Sequence, residues 1–195
     1  VEDGLFMSEF FRHKRSRDDN MKKIKHVIET AKSKTVLEDP PALDPAFSCR
    51  TCEKGDAEEM ARVYERVFET YPFPIHDPAY IRKSMDDNVV YFGIFKEGGI
   101  IALASSEMDV ESQNAEMTDF AVLPGHRGKK LSVFLLDRME EEMRARGIKT
   151  VYTIARALSY GMNISFSRAG YGHGGTLINN TNICGHFESM NVWHK

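Results

Sequence analysis

Apolar residues recur at helical spacing at Met21, Ile24, Val27, Ile28 and Ala31, which predicts a short amphipathic helix near the start of the chain. The segment Asp39-Pro40-Pro41-Ala42-Leu43-Asp44-Pro45 cannot extend it, because each proline removes a backbone donor and restricts its predecessor; it reads as a linker. From Phe47 the pattern alternates between strand and helix. Phe47 to Glu53 reads as a strand. Asp56 is the expected cap of a helix whose apolar face is Ala57, Met60, Ala61, Tyr64, Val67 and Phe68, with Glu59 placed to reach back. Tyr71-Pro72-Phe73-Pro74 stops that helix, and Asp77-Pro78 opens a second one running to about Met85. Val89 to Phe95 and Ile100 to Met108 flank the turn Lys96-Glu97-Gly98-Gly99 as a hairpin, and Ala115 to Leu123 forms a further strand stopped by Pro124-Gly125. A helix is expected from Lys130 to Arg146 with Gly147 after it, then a strand over Thr150 to Ala155 and a helix over Ser159 to Ala169 closed by Gly170. Thr176 to Ile183 and Glu188 to Trp193 are rich in β-formers and complete the pattern as an antiparallel pair. The alternation predicts an α+β, layered domain over residues 47–195, preceded by a helical extension and proline-rich linker over residues 1–46.

Composition narrows the class. With 42% hydrophobic and 28% charged residues among 195, the chain is globular rather than fibrous, disordered or disulfide-stapled. Its longest nearly uncharged stretches, such as Ile100 to Ser106, fall far short of the about 20 apolar residues a membrane helix needs, so no membrane partner is expected. A net charge of −3 gives no global reason to expect nucleic acid; the basic run Arg12, His13, Lys14, Arg15 and Arg17 reads as a solvated face among acids, with a nucleic-acid-binding arm as the rival. Three cysteines, Cys49, Cys52 and Cys184, suit a reducing cytoplasm better than a secreted scaffold. The Cys-x-x-Cys of Cys49 and Cys52 lies on a predicted strand, where positions three apart face opposite ways, so no metal site is expected. Cys184, two positions from His186, is a candidate thiol nucleophile of low standing.

The stretch with most chemistry is Glu116-Met117-Thr118-Asp119-Phe120-Ala121-Val122-Leu123-Pro124-Gly125-His126-Arg127-Gly128-Lys129-Lys130-Leu131-Ser132. A strand feeds a basic, glycine-containing turn and then a helix N-terminus, where unpaired N–H groups and the helix dipole favour an anion. It is neither a Walker loop nor a dinucleotide fingerprint. Two carboxylates, Glu116 and Asp119, stand on the strand before the turn.

The run Ala121 to Lys129 resembles the acetyl-CoA motif of the GNAT superfamily of N-acetyltransferases, Q/R-x-x-G-x-G/A, entered at Arg127, with Lys130 where that family has glycine and Ser132 where it has glycine or alanine. Several separated segments are similar to β-lysine N-acetyltransferases in particular: Tyr71-Pro72-Phe73-Pro74-Ile75, Tyr152 to Ala157, Ser159-Tyr160-Gly161-Met162-Asn163, Gly174 to Thr181 and Glu188 to Trp193. Phe6-Met7-Ser8 is similar to a mid-chain stretch of that family, and the chain begins with Val1, so the sequence is expected to be the C-terminal portion of a longer protein.

The resemblance implies a GNAT fold, a mixed and mostly antiparallel central sheet flanked by helices, with acetyl-CoA as cosubstrate, no metal, and a small-molecule amine, β-lysine, as acceptor. It places coenzyme contacts at Phe120, Ala121, Val122, Arg127, Gly128, Lys129, Lys130, Leu131, Ser132, Asn163 and Phe166, with His126 nearby. Glu116, or else Asp119, would take the proton of an amine that is ammonium at neutral pH. An oxyanion donor is expected among the N–H groups of Phe120 to Val122. Phe166 stands where the family often has the tyrosine that protonates the thiolate, which leaves Tyr160, Tyr171 or water. Tyr71, Phe73, Arg156, Asn179 and Glu188 are the implied acceptor contacts, Arg156 as a clamp for the carboxylate. A different small amine, a protein N-terminus, or a non-catalytic acyl-CoA module are the alternatives, and a homodimer is left open.

Overall fold

The computed structural model describes residues 4–183 and 185–195, so the reading of Cys184 lies outside the described residues. Seven strands form one sheet: β1 (Phe47–Thr51), β2 (Val89–Lys96), β3 (Gly99–Asp109), β4 (Asn114–Val122), β5 (Thr150–Arg156), β6 (Gly172–Ile183) and β7 (His186–His194). They lie in the order β1-β2-β3-β4-β5-β7-β6, antiparallel everywhere except between β4 and β5. Five helices flank it: α1 (Met21–Lys32), α2 (Ala57–Val67), α3 (Pro78–Asp86), α4 (Leu131–Ala145) and α5 (Tyr160–Arg168).

The two faces of the sheet bury separate cores. On one, Met60, Tyr64 and Ile81 of α2 and α3 cover Tyr91, Leu103 and Ala121. On the other, Leu135, Met139 and Met143 of α4 cover Ile94, Ala102, Ala115 and Met117, and the cluster extends through Phe166 and Trp193 to Ala31 of α1. The extension is thus packed into the domain: Ser167 donates from its hydroxyl to the Ala31 carbonyl at 2.9 Å, and Leu37 donates its N–H to the Arg168 carbonyl at 2.8 Å. Among the described residues no helix is long and apolar enough to cross a membrane.

Caps explain most boundaries. Asp77 accepts from the Ala79 N–H at 2.8 Å with Pro78 in the first turn, and Ser159 caps α5. The Asp56–Glu59 box expected from sequence does not form. Asp56 instead closes a box with Glu53 over the single 3₁₀ turn before α2 and holds Arg50 through two contacts of 2.7 and 2.9 Å. Glu59 reaches away from its helix and accepts from the Ile100 N–H at 2.8 Å, tying α2 to the β2–β3 turn.

Two irregularities position the site. The β4–β5 ladder holds only Asn114, Ala115 and Glu116 against Thr150, Val151 and Tyr152. Beyond that the strands part, since β5 continues along β7 from Tyr152 to Arg156. At the same place β4 bulges: Ser105 pairs with Thr118 and Leu103 with Ala121, so Ala104 faces both Asp119 and Phe120. Asp119 adopts a left-handed conformation, φ +54°, unusual for a residue bearing a Cβ and typical of a bulge that re-aims a side chain.

Candidate active site

Glu107 of β3 and Glu116 of β4 are direct cross-strand partners, and Glu116 pairs in turn with Tyr152 of β5, so these three side chains line one row on the α2–α3 face at the mouth of the opening. The bulge adds Asp119 to that face. Its carboxylate accepts from the Tyr71 hydroxyl at 2.5 Å and from the Ser105 hydroxyl at 2.6 Å. Tyr71, which packs on Phe68 at 4.8 Å between ring centroids, is therefore held over the acids from the loop after α2. Phe73 stands at the outer rim, 53% exposed.

Burial dominates the protonation of these groups. It raises the pKa of Glu116 to about 8, helped by the charges of Glu107 and Asp119 and opposed by a hydrogen bond from the Ile154 N–H. Glu107 is raised to about 7 by burial and by Asp119. Asp119 is raised by burial against the Ser105, Tyr71 and Thr118 hydroxyls that favour its charge, and Tyr152 is pushed up to about 12 by burial and then by Glu116. Asp119 spends both oxygens on hydroxyls, so it positions Tyr71, while Glu116 keeps capacity to take a proton. Three carboxyls that disfavour one another's charge in a part-buried site are a receptor for a cation.

On the opposite side of the opening, the turn from β4 to α4 is exposed and basic, with Arg127, Lys129 and Lys130. Gly128 has φ +80° and a Cβ there would meet nothing within 4 Å. Lys130 has φ +59°, immediately before α4. Its departure from glycine is thus conformational: the position needs a left-handed residue, and the lysine Cβ accepts the cost of about 1 kcal/mol while its ammonium stays outward. The Leu131 side chain is buried, which leaves its N–H and that of Ser132 to face an anion. Arg127 folds back to donate to the Val122 carbonyl at 3.3 Å, and His126 lies edge-on to Phe47 at 6.0 Å. Ala121 is buried in the α2 core; Phe120 and Val122 face α4.

Several expected contacts take other roles. Phe166 is fully buried, 5.6 Å from Phe120 and 5.1 Å from Tyr171, and offers no surface to a coenzyme. Asn163 is equally buried: its amide donates to the Arg156 and Ser159 carbonyls and accepts from Asn191 and Trp193, fastening the N-terminus of α5 to β5 and β7. Tyr160 is turned toward His26 of α1. Tyr171 lies under Lys195, with burial first and Glu140 second raising its pKa far out of reach of thiol chemistry. Arg156 forks onto Glu188 at 2.7 and 2.6 Å instead of standing ready for a ligand, and His186 also contacts Glu188 at 3.1 Å. Asn179, φ +44° in a β6 bulge, binds the extension through the Arg15 and Arg17 carbonyls. Cys52 is pushed up to about 12 by burial and Cys49 is raised for the same reason, so neither is a thiolate.

Glu107, Ser105 and Tyr152 were not singled out by sequence reasoning. Glu107 was within reach of it: once Asp109 and Asn114 close the β3–β4 turn, Glu107 must pair with Glu116.

The acetyltransferase (GNAT) family profile matches residues 58–170. The chain is 46% identical over its full length to a protein of Methanococcus maripaludis called beta-lysine N(6)-acetyltransferase, spanning 70% of it. It is 41% identical over 77% of its length to a protein of the same name from Methanosarcina mazei and 44% identical to an N-acetyltransferase of Bacillus subtilis; it spans 56% and 55% of these, little more than half. Among solved structures, a spermidine N-acetyltransferase variant of Vibrio cholerae superposes with a TM-score of 0.65 at 15% identity, covering 78% of this chain and 94% of that one. A ribosomal-protein-S5-alanine acetyltransferase of Vibrio fischeri superposes with a TM-score of 0.67 at 13% identity, covering 81% and 96%. At such identities these neighbours speak for the fold, and the profile together with the full-length relative carries the assignment: the chain belongs to the GNAT acetyltransferase family.

Proposed function

We propose that the chain carries the acetyl-CoA-dependent transfer of acetyl to the ε-amine of β-lysine, with residues 47–195 as the transferase unit and residues 1–46 as an extension whose described part packs against it. The observation that carries the reading is the Glu107–Glu116 pair at the mouth of the β4–β5 opening, across from the basic turn. β-Lysine brings two ammonium groups to a site whose buried acids pair with no cation among the described residues. The relatives of that name support the same acceptor.

The turn fits the cosubstrate: Gly128 leaves its backbone open to close approach, and the N–H groups of Leu131 and Ser132 with the Lys129 and Lys130 ammoniums suit a pyrophosphate. Acetyl-CoA supplies the thioester carbonyl; the nitrogen–carbon bond forms as the carbon–sulfur bond breaks, and CoA leaves as a thiolate that takes its proton from water, since Tyr171 is buried and Tyr160 is turned to His26. Glu116, ionised as pH passes its pKa of about 8, accepts the proton of the ε-ammonium, so the step is fastest at slightly alkaline pH. Glu107 balances the charge of the amine that is not acetylated. Tyr71, fixed by Asp119, walls the acceptor and excludes water. Where β4 leaves β5, an N–H in the Phe120–Val122 stretch is the candidate oxyanion donor. Acetylation removes one of two positive charges and leaves a net-neutral zwitterion, the form suited to a compatible solute.

The test is CoA release from acetyl-CoA with β-lysine, α-lysine or no acceptor, in wild type and Glu116→Gln. Turnover selective for β-lysine and lost in the variant is expected. CoA binding without turnover on any amine, in this chain and in a longer one, would instead make it a non-catalytic acyl-CoA module.

A further inference from the structure

Residues 4–20, ahead of α1, run from the acceptor side of the sheet at Phe6 to its α5 side at Asp18, held by contacts at three points. Phe6 stands edge-on to Tyr152 at 6.3 Å, next to Glu116. Asn179 donates from its amide to the Arg15 and Arg17 carbonyls at 2.9 and 2.8 Å, while the Arg15 guanidinium donates to the Asn179 and Asn180 carbonyls and lies 4.0 Å over the Phe187 ring. The Ser189 hydroxyl donates to Asp18 at 2.5 Å. The β6 bulge opposite Ser189 exists where this arm docks, with Asn179 in its left-handed conformation.

Arm and sheet enclose a cavity of about 410 Å³ whose walls include Arg12, Lys14 and Arg17 from the arm and Leu158, Phe187 and Glu188 from the domain. Of the acids there, Glu188 is committed to Arg156 and Asp18 to Ser189 and Asn20, which leaves Asp19 against Arg12, Lys14, Arg15 and Arg17. Arg12, Lys14 and Arg17 form no salt bridge among the described residues, so the cavity has surplus positive charge.

An amino-acid acceptor needs a cation for its carboxylate, and Arg156, the obvious one on β5, is bound to Glu188. We propose that the arm of residues 4–20 completes the acceptor site, Arg12, Lys14 and Arg17 receiving the carboxylate of a diamino-acid acceptor whose amines lie toward Glu107 and Glu116. This rests on the proposed function and adds the residues that separate an amino acid from a plain diamine. Tyr152, beside Glu116, and Arg156, beside Glu188, lie about 13 Å apart along β5, a span that an extended six-carbon diamino acid bridges together with the reach of the side chains at its two ends. Phe6 stands at the Tyr152 end.

The experiment uses the full chain, with Arg12→Gln combined with Arg17→Gln as one variant and Asn179→Ala, which releases the arm, as another. Initial rates are measured on β-lysine and on cadaverine, a diamine without a carboxylate. The ratio of kcat/KM for β-lysine to that for cadaverine is expected to fall about tenfold or more in the double variant, the scale of a lost charge-assisted contact, and to fall also in Asn179→Ala. An unchanged ratio in the double variant overturns the proposal. If wild type turns over no amine, the failure is that of the proposed function, and calorimetric binding of β-lysine to the same proteins decides the arm: weaker binding in the double variant supports it, equal binding overturns it.

Discussion

Replacing Glu116 by Gln should raise the stability of the protein at alkaline pH while abolishing its chemistry. Gln keeps an oxygen to accept the Ile154 N–H and nearly the same volume, so the change removes little besides the charge. In the folded chain Glu116 holds its proton up to about pH 8, against an ordinary value of 4.5. Between those values the native state binds a proton that the unfolded chain has released, so stability falls as pH rises through that window and is flat on either side of it. At about 1.4 kcal/mol per tenfold, the full span is of order 5 kcal/mol for a group titrating alone. Glu107 titrates beside it and shares the penalty, which brings the expected difference to about 3 kcal/mol. For a chain of this size that is roughly 6–12 °C in melting temperature. The assay is thermal unfolding of wild type and Glu116→Gln from pH 5 to pH 9. The curves should coincide near pH 5 and separate progressively, the variant melting higher by pH 8.5. Parallel curves, or a gap that closes with rising pH, would refute the assignment of Glu116 as a buried acid kept protonated by its surroundings.

Other consequences can be measured alongside. The pH profile of kcat/KM should rise through a limb near pH 8, and Glu107→Gln should move that limb to lower pH, because a like charge facing Glu116 has gone; an unmoved limb would detach the two residues. Lys130→Gly should be neutral to stabilising by up to about 1 kcal/mol in denaturant melts, whereas Gly128→Ala should cost about 1 kcal/mol and raise KM for acetyl-CoA, since both positions have positive φ. Phe166→Ala should cost about 3–5 kcal/mol as a cavity in the α4 core, with KM for acetyl-CoA unchanged in whatever protein folds. Tyr71→Phe, which removes one of the hydroxyl partners of Asp119, should raise KM for the amine more than it lowers kcat.

Elements with strong local signals were legible in the sequence: Asp77-Pro78 as cap and first turn, the Lys96–Gly99 turn as a hairpin, and the strand, basic turn and helix around Gly128. β6 begins earlier than its composition suggests because Gly172 to Gly175, poor β-formers alone, are held by pairing with β7. Glu116 and Asp119 stood out because strand and turn were both recognisable, and it was the resemblance that ranked Glu116 first. Asn163, Arg156 and Asn179 are held by partners that the sequence does not mark, 28, 32 and more than 160 residues away. A polar side chain placed near a cleft by analogy carries no mark of whether such a partner has already claimed it. The left-handed turn at Asp119 was equally hidden, since nothing in an aspartate flanked by β-formers announces it.

That bulge has a consequence for how β4 can change. Before it, Ala115 and Met117 face α4 and Glu116 faces the acceptor; after it, Phe120 and Val122 face α4 and Ala121 faces α2. Odd and even numbers exchange sides, and Asp119 is the residue at which they do. Removing it would leave every apolar neighbour on its own side and restore an unbroken alternation. The sheet does not count Asp119, so the anchor for Tyr71 sits on a position that insertion could supply, or deletion withdraw, without repacking either core.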